Sequence, residues 1–198
     1  MVLNKKPATR WGAVLGYSIS QYNFSGQYFY LDNGHITAGS ILAGGFIAVY
    51  LPRGRGRWGG FFDVLYKPVR MENETRFYEV FSFYNSRNNF YFDLIKASAS
   101  FRHTSVYGKV RPYFYAGATA ALPLRAESRS VYNRVNTTEY QTKTFKGKGE
   151  LGYLLGGGFQ INKTEWEFRW ERLDYQRTMF INGQTFNFIF KYTLSGKP

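Results

Sequence analysis

Apolar and polar residues alternate with a period of two along most of the chain. In "KTEWEFRWERLDY" (163–175), Trp166, Phe168 and Trp170 share one face of a strand, and Glu165, Glu167, Arg169 and Glu171 share the other. At helical periodicity the same residues would scatter around the cylinder. The alternation predicts further strands along the chain. Residues 10–20 set Trp11, Ala13, Leu15, Tyr17 and Ile19 against Gly12, Val14, Gly16 and Ser18. Residues 57–68 set Phe62, Val64 and Tyr66 against Asp63, Leu65 and Lys67. Residues 184–196 set Phe186, Phe188, Phe190, Tyr192 and Leu194 against Asn187, Lys191 and Thr193. Residues 111–124 and 148–162 read as strands as well. The stretch 35–52 is a strand with two equally apolar faces, so alternation does not orient it. In 89–103, Phe92 and Leu94 oppose Asp93, and Lys96 then falls on the apolar side. A bulge near Ile95 would return Lys96, Ser98 and Ser100 to the polar face.

The connections alternate in length. Short ones are predicted at "RGRGR", "TSVYG" and "NK", and long ones at about 20–35, 69–88 and 125–147, with a medium one at 175–184. That alternation predicts an all-β, transmembrane, antiparallel up-and-down β-barrel forming one domain over 1–198, with short periplasmic turns and long extracellular loops. Eight strands are counted, and ten if the alternating stretch 75–85 adds a pair rather than extending a strand beyond the membrane. A tight turn at Asn162-Lys163 provides an internal check. It pairs Phe159 with Trp166 and Leu155 with Trp170 on the apolar face. On the polar face it pairs Gly158 with Glu167 and Gly156 with Arg169. Glycine opposite long charged side chains suits a narrow, filled interior.

Composition narrows the choice. The chain has 198 residues, no cysteine, 20% aromatic residues and 21 glycines. Neither a disulfide framework nor a thiolate metal site is available. No apolar run approaches the ~20 residues of a transmembrane helix. The start, "MVLNKKPATRWG", has no signal-peptide core, so an export signal would have been removed or would lie outside this chain. The competing fold is a soluble, lipocalin-like barrel with its apolar face turned inward around an apolar ligand. Three features favour lipid outside: the aromatic bulk of the apolar faces, the small residues opposite them, and long loops on every second connection.

"KVRPYFYAGATAALPL" (109–124) resembles the "RPY-x-x-x-G" strand of PorT-like outer-membrane β-barrel proteins. "FYFDLIKASASF" (90–101) resembles the preceding strand of that family, and "LGYLLGGGFQINKTEWEFRWERLDY" (151–175) its "G-x-G-x-E/Q-Y" strand, turn and "EARY" strand. Ile95 replaces the usual proline, and the chain ends "YTLSGKP" without the family's terminal aromatic. The resemblance implies an outer-membrane barrel in a family that includes proteins linked to secretion.

Candidate sites follow from the faces. Trp166, Phe168, Trp170, Phe186, Phe188 and Phe190 are expected to face lipid. Asp63, Asp93, Lys96, Glu150, Glu165, Glu167, Arg169, Glu171 and Lys191 are expected to form a paired interior network, with Lys191 beside Glu167 or Arg169. An eight-stranded interior is wide enough only for side chains, so a plug rather than a pore is expected. The net charge of +13 admits anionic partners. The basic 125–147 segment, with Arg125, Arg129, Arg134, Lys143 and Lys146, suits the headgroups of lipopolysaccharide in the surrounding outer-membrane lipid. The stretches 21–33 and 76–90, rich in Tyr, Phe, Asn and Ser, suit contact with an extracellular protein or glycan, and suit better still strands that extend above the membrane. The single "RGRGRWGGFF" (53–62) reads as a basic turn and a strand, not as a nucleic-acid-binding array. No catalytic group, cofactor or metal is expected. The enzyme alternative, a lipid-modifying barrel, would rest on His35 beside Asp32, with no assignable nucleophile. The expected protein is a monomer in the cell outer membrane, with a structural or adhesive role.

Overall fold

The computed structural model describes the backbone of residues 8–24, 35–51, 56–79, 82–105, 107–134, 137–144, 149–173 and 180–195. Side chains are described for most of these, but not for 23–24, 35–36, 56, 73–79, 82–86, 134 and 180–182. The strands are β1 (Ala8–Phe24), β2 (His35–Leu51), β3 (Gly56–Glu79), β4 (Ser82–Ser105), β5 (Val110–Arg134), β6 (Thr137–Thr144), β7 (Glu150–Ile161), β8 (Thr164–Leu173) and β9 (Phe180–Ser195). Eight of them close a ring in the order β1-β2-β3-β4-β5-β7-β8-β9, and β9 pairs back onto β1. Every neighbouring pair is antiparallel. Closure satisfies the backbone groups that an open sheet would leave at its edges. The ninth strand, β6, lies outside the ring and pairs only with the far end of β5.

Alternation along each strand decides what faces in and out. On β8, Glu165, Glu167, Arg169 and Glu171 are at most 3% exposed, while Trp166 and Phe168 are 50% and 57% exposed. Such a wall is stable only against an apolar solvent, because charge is inside and aromatic bulk outside. The chain is therefore a transmembrane antiparallel barrel of the outer-membrane type, the reverse in sense of a lipocalin-like barrel. The β7–β8 register is the one the Asn162-Lys163 turn predicts: Phe159 pairs with Trp166, Leu155 with Trp170, Gly158 with Glu167 and Gly156 with Arg169. Asn162 takes the left-handed conformation, φ 54°, that asparagine tolerates in a tight hairpin. Strand β2, unoriented by its sequence, is oriented by its neighbours. Ala43 pairs with both Leu15 and Tyr66, which point outward. Ile41, Ile47 and Val49 follow them out, while Leu42, Phe46 and Tyr50 turn in.

At the long-loop end, 76–90 falls mostly in strands extended beyond the barrel, the reading favoured for it, whereas 125–147 departs from the predicted loop. The segments expected as loops at 69–88 and 125–147 are mostly strand. Past Tyr66, the last residue paired with β2, β3 continues to Glu79 against β4. Likewise β5 continues to Arg134, flanked by β4 and β6. A four-stranded sheet, β3-β4-β5-β6, thus rises from one side of the barrel. The stretch 75–85 extends β3 and β4 and adds no pair to the ring.

The expected bulge near Ile95 is absent, since β3 and β4 pair in unbroken register through it. Leu94, Lys96 and Ser98 all point inward and Ile95 points outward. Asp93 therefore points outward, which corrects its assignment to the interior network. The error arose from taking every apolar residue as outward. Leu94 belongs to an apolar cluster with Tyr22, Val69, Met71, Phe90 and Leu173 that fills the lumen at this end. The real irregularity is in β5. Asp93 pairs with Arg125 and Leu94 with Pro123, so Leu124 is the extra residue.

Candidate functional site

Strand β8 organises the interior. Its carboxylates receive cations from around the ring, because alternation points every second residue of β8 into the interior of an eight-stranded ring, which side chains are enough to fill. Arg169 forks onto Asp63 of β3, which stands opposite β8 in the ring, with Nη1–Oδ1 3.2 Å and Nη2–Oδ2 2.5 Å. The same guanidinium lies 2.8 Å from Glu167, and its Nε donates to the Tyr115 hydroxyl at 3.1 Å. Gly156 leaves the room Tyr115 needs, since a Cβ there would collide with the hydroxyl. Lys191 lies 2.6 Å from Glu167, and Lys96 pairs with Glu171. Nearer the short-turn end, Glu165 takes Arg10 and, at 2.7 Å, Arg102. Arg102 is held between the rings of Tyr113 and Phe61, 3.3 Å and 4.5 Å from their centroids.

The structure thus brings Asp63, Lys96, Glu165, Glu167, Arg169, Glu171 and Lys191 together in the lumen. Glu150 stands half-buried at the start of β7, opposite inward-facing Ala121. Sequence reasoning missed Arg10, Lys67 and Arg102, all fully buried. Lys67 already lay on the polar face of its predicted strand, and it donates to Ser20 at 2.6 Å. Arg10 and Arg102 continue the inward parity of β1 and β4, a signal overlooked because both sit where their predicted strands meet turns.

On the outer wall, Trp166 packs edge-on against Phe190 and Phe168 against Phe188, each with centroids 5.0 Å apart. Trp170 meets Tyr153 at 5.5 Å, and Phe186 is exposed beside them. Two concavities, of about 510 and 320 Å³, also lie on this wall, the larger beside Ile47, Phe62, Phe101 and Gly117. His103 faces outward too, between Trp58 and Phe114, in an aromatic band near the short turns. The side chain of His35, and Asp32, lie outside the described residues, as do residues 25–34 of the loop at 20–35 and residues 175–179 of the 175–184 connection. Among the described residues no group of three or more His, Asp or Glu is arranged to hold a metal ion.

A second constellation stands on the outer wall where the sheet leaves the barrel. Arg70, Arg125 and Arg129 lie 5.5, 5.8 and 5.2 Å from the centroid of the Tyr91 ring. Asp93 pairs with Arg70 at 2.8 Å. Glu127 accepts from Arg125 Nη2 at 2.5 Å and from Arg129 Nε at 2.6 Å. Those hydrogen bonds, Arg125's first, hold the Glu127 carboxyl below its ordinary pKa.

No family model and no curated protein sequence matches the chain. Among solved structures, it is similar in fold to Ail, the attachment invasion locus protein of Yersinia pestis, solved with the heparin analogue sucrose octasulfate. That alignment covers 96% of this chain and 100% of that one at 15% identity, with a TM-score of 0.38. It is also similar in fold to Neisserial surface protein A, over 96% of this chain and 100% of that one, at 11% identity and a TM-score of 0.40.

Proposed function

We propose that the chain is a monomeric barrel of the bacterial outer membrane with a structural and adhesive role. It conducts no ions and catalyses no reaction. Its contacts with an extracellular protein or glycan are made by the β3–β6 sheet. The observation that carries this reading is a division of labour along the strands. Within the ring, Arg169 and Asp63 span the lumen, so the interior is spent on holding the barrel shut. Beyond the ring, the sheet presents β6 with every residue from Thr137 to Thr144 exposed. Trp166, Phe168, Trp170, Phe186, Phe188 and Phe190 meet lipid in this reading, and outer-leaflet lipid, including lipopolysaccharide, surrounds the base of the sheet. The strand motifs at 90–101, 109–124 and 151–175 support kinship with PorT-like barrels.

The test is binding by cells that display the protein to extracellular-matrix proteins and a glycan array. It compares wild type with a variant in which residues 74–87 and residues 130–141 are each replaced by an Asn-Gly turn. Heat-modifiable gel mobility in detergent checks that both barrels fold. Binding by wild type and its loss in the folded variant are expected. Equal binding by both would overturn the assignment to the sheet, and folding in plain buffer without amphiphile would overturn the membrane reading.

A further inference from the structure

The arginines around Tyr91 sit at a boundary that three strands share. On β3 the outward residues change from Tyr66 to Arg70, on β4 from Ile95 to Asp93 and Tyr91, and on β5 from Leu122 and Leu124 to Arg125. Cross-strand pairing aligns these changes: Arg70 pairs with Tyr91, Tyr91 with Glu127, and Asp93 with Arg125. The apolar wall ends and the charged wall begins at one height.

The bulge at Leu124 creates the charged wall. Below it, the inward residues of β5 are odd-numbered, as in Tyr113, Tyr115, Thr119 and Ala121. Above it they are even-numbered, Ala126 and Ser128. If Leu124 took a regular place in the ladder instead of bulging, Arg125, Glu127 and Arg129 would fall on the inward parity. A bulge that re-aims side chains in this way is a designed feature rather than a defect.

From this geometry we propose that Arg70, Arg125 and Arg129 form a binding site for the phosphomonoester of an outer-leaflet lipid. The acyl chains of that lipid lie down the wall over Leu124, Leu122 and Ile95. The proposal rests on the outer-membrane reading above and deepens it. Three guanidiniums face two carboxylates, so the cluster keeps an unbalanced positive charge. Arg129 uses only its Nε on Glu127 and is 55% exposed, which leaves its Nη donors for a ligand among the described residues. Tyr91 lies within 5.2–5.8 Å of all three cations, inside cation–π range. A planar guanidinium matches two phosphate oxygens at once. Position selects the source of the phosphate. The site faces sideways from the barrel wall, directly above apolar side chains, where a lipid headgroup stands. A soluble partner would meet the sheet above it first.

The experiment refolds the protein in zwitterionic micelles and measures retention of diphosphoryl lipid A by mass spectrometry of the purified complex. The same lipid stripped of its phosphates is the first comparison, and inorganic phosphate is added as a competitor in another arm. Wild type is compared with R125Q/R129Q and with K109Q/K163Q, which removes the same charge at the short-turn end of the barrel. We expect wild type and K109Q/K163Q to retain the phosphorylated lipid at least about tenfold better than R125Q/R129Q, as lost charge-assisted hydrogen bonds require. Wild type is also expected to discriminate against the dephosphorylated lipid by a similar factor. Equal retention by R125Q/R129Q, equal loss in both double variants, or no dependence on phosphate overturns the site. Displacement by inorganic phosphate overturns the lipid as its ligand. Heat-modifiable mobility is read on every sample. Failure of wild type to fold in micelles would strike the outer-membrane reading itself, whereas a folded barrel that ignores phosphate strikes only this inference.

Discussion

Arg169 shows what a single residue does inside a closed lumen. Its guanidinium is buried, bonded to Asp63, Glu167 and Tyr115, and within 3.5 Å of Glu171. A buried ion pair adds little net stability over apolar packing, but removing one partner strands the other's charge away from water. Arg169→Met leaves Asp63 with Lys191, 4.0 Å away, in place of a bidentate guanidinium, and makes Asp63 and Glu167 share that one lysine among the described residues. The expected cost is about 3–5 kcal/mol, read as a lower urea midpoint for the variant in micelles or as failure to refold. An unchanged midpoint would show that the cross-lumen pair contributes no stability.

At the scale of an element, β8 was the most legible part of the chain. Its alternation is strict, its turn is tight, and its register followed from the turn alone. Two solvents meet on its faces, so the cost of a charge on the apolar face depends on depth. Phe168 lies mid-strand, paired with Phe188, whereas Tyr192 pairs with Thr164 next to the turn. Phe168→Arg should destabilise by about 2–4 kcal/mol and Tyr192→Arg by about 0–1 kcal/mol, measured by unfolding in lipid vesicles. Equal effects at the two positions would contradict a membrane boundary near the turn. Strand β4 was less legible for a related reason. Leu94 is apolar and faces inward, where Val69, Phe90 and Leu173 fill the lumen, and Asp93 faces outward, where Arg70 waits. Above the lipid the outer face is wet, so the rule that apolar residues point outward reverses there. The sequence carries no mark of the height at which this happens.

For the whole molecule, closure brings charges from opposite strands of the ring into contact. Asp63 on β3 and Arg169 on β8 meet across the full width of the ring, with Lys191 and Glu167 beside them. Reconstituted wild type should therefore show no stepwise conductance in a planar lipid bilayer. Stable single-channel steps would mean that this network opens.

By itself, the sequence determined the strands, the sorting of residues into two faces, the β7–β8 register and most of the interior charges, because a period of two is a local property of the backbone. It also determined that the faces of β8 need different solvents. Only the tertiary structure decided which face of β2 points outward, because two equally apolar faces are distinguished only by their paired neighbours. The length of the β3–β6 sheet was decided the same way, since polar strands outside the membrane look like loops until they find partners. The bulge at Leu124 is invisible to alternation alone: parity flips at an extra residue, and only pairing with β4 shows which residue is extra. Because Leu124 bulges instead of taking a place in the ladder, Arg125 and Arg129 stand on the outer wall rather than on the inward parity.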